Sequence, residues 1–261
     1  MQRQRLFGIE FVTGATIDEI ADHLIAESVA PGTRWRSMVT PNVDHLVRYA
    51  KRPSELRVGQ AADLALPDGM PIIWSSRLLG APLAARLTGS DLFPRLWAKV
   101  ISEERSIMLV VADQTIADAL RLEYPSALCI VPPMIEVDDT KAIDAIAQQI
   151  LETAQAQRLD FVMLGLSMPK HHRLTAVLTS RPIPAAGAPF LLLLGASAEL
   201  HLGVQPRAPG WVQRAGLEWA QRLINDPRRL AKRYLLDDPA FIKLIFLEWR
   251  ARHQRQPGAS H

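Results

Sequence analysis

The stretch LDFVMLGLSMPKHHR (Leu159–Arg173) decides the reading of the chain. Its first part, Phe161–Leu164, is a short apolar run without alternation. A strand solvated on one face alternates, whereas a strand covered on both faces does not. Glycine and proline then close the run before a segment that starts a helix. The same grammar recurs in SIMLVVAD, which leads into QTIADALRLEYP, and in APFLLLLGAS, where Phe190–Leu194 is again unbroken. Buried strands that each hand over to a helix build a parallel sheet with helices on both faces.

Working outward, RLFGIEFVT reads as one strand, and GATIDEIADHLIAESVA has helical apolar spacing through Ile17, Ile20, Ala21, Leu24 and Ile25. SMVTPN is a short strand, VDHLVRYAKRPSELRVGQA a helix broken near Pro53, and ADLALPDG a third strand. MPIIWSSRLLG is a helix stopped by Gly80, and GSDLFPRLWAKVISEE another, with Ser90 or Asp91 as its cap. ALCIVPP adds a strand and TKAIDAIAQQILETAQAQ a helix. The fold class is α/β: a Rossmann-like, doubly wound, largely parallel sheet with a C-terminal basic helical appendage. Such sheets bind ligands outside the carboxyl ends of their strands. Thr40-Pro41-Asn42, Pro67-Asp68-Gly69, Gly165–Lys170 and Gly195–Glu199 all follow strands and should converge on one rim.

The 261 residues are 48% hydrophobic and 22% charged, which suffices for one large domain with an appendage. Residues 1–204 form the α/β domain, 205–253 the appendage and 254–261 a disordered tail. The one cysteine, Cys129, allows neither a disulfide framework nor a Cys-based zinc site within the chain, which points to a reducing compartment. The N-terminal MQRQRLFGIEFVTGATIDEI lacks the apolar core of a secretory signal, and no apolar run is long enough to span a bilayer. The net charge of +3 says little about partners, but its distribution says more. Arg207, Arg214, Arg222, Arg228, Arg229, Lys232 and Arg233 interleave with Trp211, Leu217, Trp219, Leu223, Leu230, Tyr234 and Leu235, and prolines divide the segment into short helices. This composition suits an anionic membrane surface or phosphate groups. A packed helical subdomain with a solvated basic face competes with that reading, and the helical spacing of the apolar residues disfavours a nucleic-acid role.

Each polar candidate has a structural alternative. Asp68 is a turn acid or a catalytic base at the sheet rim. Thr40 and Asn42 flank Pro41; Asn42 is a helix cap or, with Thr40, a hydrogen-bonding group for a sugar or phosphate. Arg86, Thr88, Ser90 and Asp91 mark a helix start or an anion site where cation, hydroxyls and N–H groups converge. Lys170, His171 and His172 read as a solvated helix start rather than a metal-ligand set, because adjacent histidines point different ways on a helix. Val137–Asp139 reads as a solvated loop. No P-loop and no complete GxGxxG appears, which disfavours a dehydrogenase. Neither HxxxH nor DxD occurs, and Glu199 breaks the GxSxG pattern around Ser197.

The order of these blocks along the chain is more specific than any one of them. VTPNVDHL, ADLALPDGMPIIWSSRLLGAPLAARLTGSDLF, DFVMLGLSMPKHHR and GASAELHLGVQPRAPGWVQRAGLEWAQRL together resemble the WecG/TagA/CpsF glycosyltransferase family, over roughly Phe7 to Tyr234. The resemblance implies an inverting, metal-independent transferase without cofactor. It would move a sugar from a UDP-sugar to a sugar on undecaprenyl diphosphate, in the synthesis of bacterial teichoic-acid-type, capsular or exopolysaccharide polymers. It further implies Asp68 as general base, Thr40 and Asn42 in the active site, and Arg86 on the diphosphate. Thr88, Ser90, Asp91, Lys170 and His171 would complete the substrate pocket. Arg207, Trp211, Arg214, Arg222, Arg228, Arg229 and Arg233 would hold the lipid diphosphate and dock the enzyme on the cytoplasmic face of the plasma membrane. A homo-oligomer is compatible with this reading. The sequence departs from the family pattern in three places. His171 and His172 follow Lys170 where the family has glutamine and glutamate; the turn after MLVVADQT lacks its glycines; and ASAE stands for G-x-F-D. These departures leave the donor sugar open and motivate an alternative, a catalytically silent membrane-associated subunit of a polysaccharide assembly complex.

Overall fold

The computed structural model describes residues 1–136, 139–204 and 227–254, the last of these segments without its side chains up to 239. The elements run β1 (Gln2–Leu6), β2 (Ile9–Thr13), α1 (Ile17–Ser28), β3 (Arg36–Val39), α2 (Val43–Lys51), α3 (Pro53–Ala61), β4 (Leu64–Ala65), α4 (Met70–Leu78), α5 (Gly89–Ser102), β5 (Ile107–Val110), α6 (Gln114–Glu123), β6 (Leu128–Ile130), α7 (Thr140–Ala156), β7 (Phe161–Leu164), α8 (Lys170–Thr179), β8 (Phe190–Leu193), α9 (Ser197–His201) and α10 (Pro227–Gln254).

The strands form one eight-stranded sheet in the order β1-β2-β4-β3-β8-β7-β5-β6. Every neighbouring pair is parallel except β1 and β2. Register explains the unbroken apolar runs. Leu64, Met38, Leu192, Met163, Leu109 and Cys129 line up across the sheet and face α1, α5 and α6. The next row, with Ala65, Val39, Leu193, Leu164, Val110 and Ile130, faces the layer of α2, α3, α4, α7 and α8. Both faces are covered, so both positions of each two-residue repeat must be apolar.

Four readings of the sequence change in the structure. RLFGIEFVT is a hairpin, not one strand: Phe7 (φ 52°) and Gly8 (φ 78°) make a two-residue turn between Leu6 and Ile9. Two positive φ angles in succession match the right-handed twist of the flanking strands, which holds an aromatic residue in a conformation it seldom adopts. Thr88, rather than Ser90 or Asp91, caps α5, because its hydroxyl accepts from the Asp91 N–H. The C-terminal segment 227–254 is one helix of 28 residues and continues through Pro239. Phe241 is buried against Phe7, and Ala240, Leu244 and Ile245 pack on the same cluster, so tertiary contacts sustain the helix where proline removes a backbone bond. Asp139 is also not simply a loop acid; it caps α7 by accepting from the Ala142 N–H.

Arg207, Trp211, Arg214 and Arg222 lie outside the described residues, as do Val137, Asp138 and residues 255–261 of the expected tail. Arg228, Arg229 and Arg233 fall on the backbone of α10. Among the described residues no helix is long and apolar enough to cross a membrane.

Candidate active site

β3 and β4 are neighbours, with Val39 opposite Ala65, so the segments that follow them leave the sheet side by side. Two further bonds extend the ladder beyond the strands. The Leu66 N–H donates to the Val39 carbonyl at 2.9 Å, and the Asp68 N–H to the Pro41 carbonyl at 3.0 Å. Thr40, Asn42 and Asp68 are thereby gathered at the carboxyl edge of the sheet. Gly69 then turns the chain into α4 at φ 128°, where a side chain would be strained. Asp68 is half-buried and Thr40 buried.

The Arg86 segment joins this edge through the Leu87 N–H, which donates to the Pro67 carbonyl at 2.9 Å. Arg86 Nη2 lies 3.7 Å from Asp91 Oδ2, and the Arg86 side chain is largely covered. The Thr88 hydroxyl donates to the same carboxylate at 2.8 Å, and Ser90 Oγ lies 3.0 Å from the Thr88 hydroxyl oxygen. The first turn of α5 sits tightly on the end of β8: a Cβ at Gly89 would come within 2.9 Å of Ser197 Oγ. The Gly195 N–H in turn donates to the Leu164 carbonyl, tying the β8 and β7 exits together. The four segments expected at one rim are therefore at one rim.

Next to them is a group of rings that the sequence concealed. His171 and His172 open α8 but are buried, at 4% and 2% exposure, not solvated. Their ring centroids lie 4.7 Å apart, and the ring of His45, in the first turn of α2, lies 5.9 Å from His171, tilted, and 6.1 Å from His172, stacked. Packing of α8 against the α2–α3 layer covers them, which one-dimensional polarity cannot register. The His171 Nδ1–H donates to the Leu166 carbonyl at 2.6 Å, and His172 Nε2 shares a 2.7 Å hydrogen bond with the Tyr49 hydroxyl. Burial lowers the His171 pKa to about 4, against the Leu166 bond that favours the cation. Burial also pushes His172 down, helped by His171 and His45, while it pushes the Tyr49 phenol up. His171 and His172 are thus neutral hydrogen-bonding groups. Lys170 is half-buried at the start of α8.

His45 and Tyr49 were not singled out from the sequence. The available signal was spacing: His45 stands three residues after Asn42, where a capping-box residue belongs. Asn42 Oδ1 accepts from the His45 N–H, as its cap reading anticipated. Among the described residues no group of three or more His, Cys, Asp or Glu side chains could hold a metal ion.

Comparison with known proteins places this geometry in context. The chain is 27% identical over 256 residues to the N-acetylglucosaminyldiphosphoundecaprenol N-acetyl-beta-D-mannosaminyltransferase of Bacillus subtilis, covering 95% of this chain and 93% of the relative. It is 26% identical over 235 residues to the protein of the same name from Bacillus spizizenii, covering 86% and 82%. A Staphylococcus aureus protein of that name is 20% identical over 232 residues, covering 87% and 86%. The model of the Glycosyl transferase WecG/TagA/CpsF family matches residues 4–255. With a parallel α/β sheet, an acid held at its carboxyl edge and a family match over almost its whole length, the chain belongs to the WecG/TagA/CpsF family of glycosyl transferases.

Proposed function

We propose that the protein transfers a sugar, with inversion, from a UDP-sugar to a sugar carried on a polyprenyl diphosphate in the synthesis of a bacterial cell-surface polysaccharide. The observation that carries the reading is the placement of Asp68, at the carboxyl edge with its backbone held by Pro41, and with the Arg86 segment tied to the same edge by the Leu87 N–H on the Pro67 carbonyl. The names of the relatives supply the lipid-linked acceptor.

Asp68 takes the proton from the acceptor hydroxyl as that oxygen attacks the anomeric carbon from the face opposite UDP. The bond to the UDP oxygen breaks as the new glycosidic bond forms, and the configuration inverts. General-base help of this kind contributes about 10²–10⁴-fold. The departing diphosphate gathers negative charge, which Arg86 and the N–H groups at the start of α5 oppose. Thr40 and Asn42 orient the reacting sugars beside Asp68. Thr88, itself bonded to Ser90, keeps Asp91, and through it Arg86, in place, and Lys170 and the His171 segment border the donor.

A lipid-linked acceptor requires the enzyme to reach the membrane surface. α10 supports peripheral docking on the cytoplasmic face. Ile242, Phe246 and Trp249 form an exposed stripe one helical turn apart, flanked by the exposed Lys243 and Arg250. The arginines from Arg207 to Arg233 add the charge that an anionic leaflet attracts.

The test is acceptor-dependent UDP release with a panel of UDP-sugars and a short-chain polyprenyl-diphosphate sugar. One donor should support turnover. Folded protein inactive with every donor and acceptor sugar tried would replace this reading with a silent assembly subunit, in which the buried His171–His172 pair marks a pocket remodelled away from catalysis.

A further inference from the structure

His45 has no role in the assignments above, yet it holds the peptide that holds Asp68. In a capping box the third helical residue reaches back to the N–H of the cap residue, and that residue is ordinarily glutamate or glutamine. Here it is a histidine. The Asn42 N–H donates to His45 Nδ1 at 3.0 Å, while the His45 N–H donates to Asn42 Oδ1 at 3.2 Å. An Nδ1 that accepts bears no hydrogen, so the imidazole is in its neutral Nε2–H form.

The Asn42 N–H belongs to the same peptide unit as the Pro41 carbonyl. That carbonyl accepts from the Asp68 N–H at 3.0 Å. A peptide unit is planar, so fixing the direction of its N–H fixes the direction of its C=O. The His45 ring is held in turn. It stacks with His172 and lies tilted beside His171, and these two are anchored by the Leu166 carbonyl and the Tyr49 hydroxyl. A continuous set of contacts therefore runs from the start of α8, through the His45 ring and one peptide plane, to the backbone of Asp68.

We propose that His45 is a positioning residue: as hydrogen-bond acceptor for the Asn42 N–H, it orients the Pro41–Asn42 peptide and so sets the position of Asp68. The effect on the backbone stands by itself; the effect on turnover rests on Asp68 as the base.

The experiment compares His45→Phe, His45→Gln and Asp68→Asn with the unaltered full chain, by hydrogen exchange at the Asp68 amide and by steady-state kinetics. Phenylalanine keeps a ring against His171 and His172 but offers no acceptor, whereas glutamine, one bond longer, carries the acceptor that a capping box ordinarily uses at this position. In His45→Phe the Asp68 amide should exchange about 10-fold faster. Its kcat should fall about 10-fold with little change in the donor KM, because small displacements of a reacting group are costly. His45→Gln should restore both. Unchanged exchange in His45→Phe would overturn the proposal, and so would a folded His45→Gln as defective as His45→Phe. If His45→Phe does not fold, unaltered exchange and kcat in His45→Gln support the acceptor role, and a loss of either overturns it. Full turnover by Asp68→Asn would remove the base reading, and the exchange data would still decide whether His45 positions the loop.

Discussion

His171 and His172 show how individual side chains set the pH range of this fold. In the unfolded chain a histidine titrates near ~6.5. Folded His171 resists the proton down to about 4, and His172 is shifted in the same direction. Between those values the unfolded chain binds protons that the folded one refuses. The stabilising contribution is therefore complete above ~6.5 and is lost as pH falls, at roughly 1.4 kcal/mol per pH unit for each histidine. Urea unfolding at pH 7.5 and 4.5 should show a smaller loss of stability in His171→Gln than in the unaltered protein. Equal losses would contradict the burial argument, since carboxylates titrate alike in both. At this scale the sequence was partly legible. Asn42 before an apolar-periodic segment reads as a cap and is one. The burial of His171 was not legible, because Lys170 and Arg173 flank it and the packing that covers it joins segments distant in sequence.

Among the elements, α10 has two distinct faces. Phe241 is buried, and Leu244, Ile245, Glu248 and Arg252 lie half-buried toward the hairpin and α2. Ile242, Phe246 and Trp249 face outward at 68%, 57% and 44% exposure, and the proposed docking on a membrane surface rests on this stripe. Replacing Phe246 and Trp249 with serine should abolish co-sedimentation with anionic phospholipid vesicles while shifting stability by no more than about 0.5 kcal/mol per site, as for other surface positions. Vesicle binding at the unaltered level would remove the docking role of this helix. Strand and helix order was readable because each period persists along an element. The hairpin escaped because Phe7 is as apolar as the strand residues around it, and the turn is set by backbone angles that its side chain does not advertise. The continuity of α10 escaped because Pro239 is a local stop signal that packing overrides.

For the molecule as a whole, parallel strands carry the candidate residues to one edge. Thr40, Asn42, Asp68 and Arg86 come from segments far apart in sequence, and hydrogen bonds between the strand exits bring them together. That convergence was legible, since ligand sites of doubly wound sheets lie beyond the carboxyl ends of the strands. The strand order was not: β8, last in sequence, sits at the centre between β3 and β7, and crossovers of this length leave no local trace of the pairing. The central claim is that this edge performs glycosyl transfer with Asp68 as base. Its most direct test measures acceptor-dependent UDP release and UDP affinity in the unaltered protein and in Asp68→Asn. With Asp68 as base, kcat should be lower by about 10²–10⁴ in the variant, with UDP binding retained. Turnover at the unaltered rate, or loss of UDP binding along with activity, would contradict it and return Asp68 to the role of a turn residue.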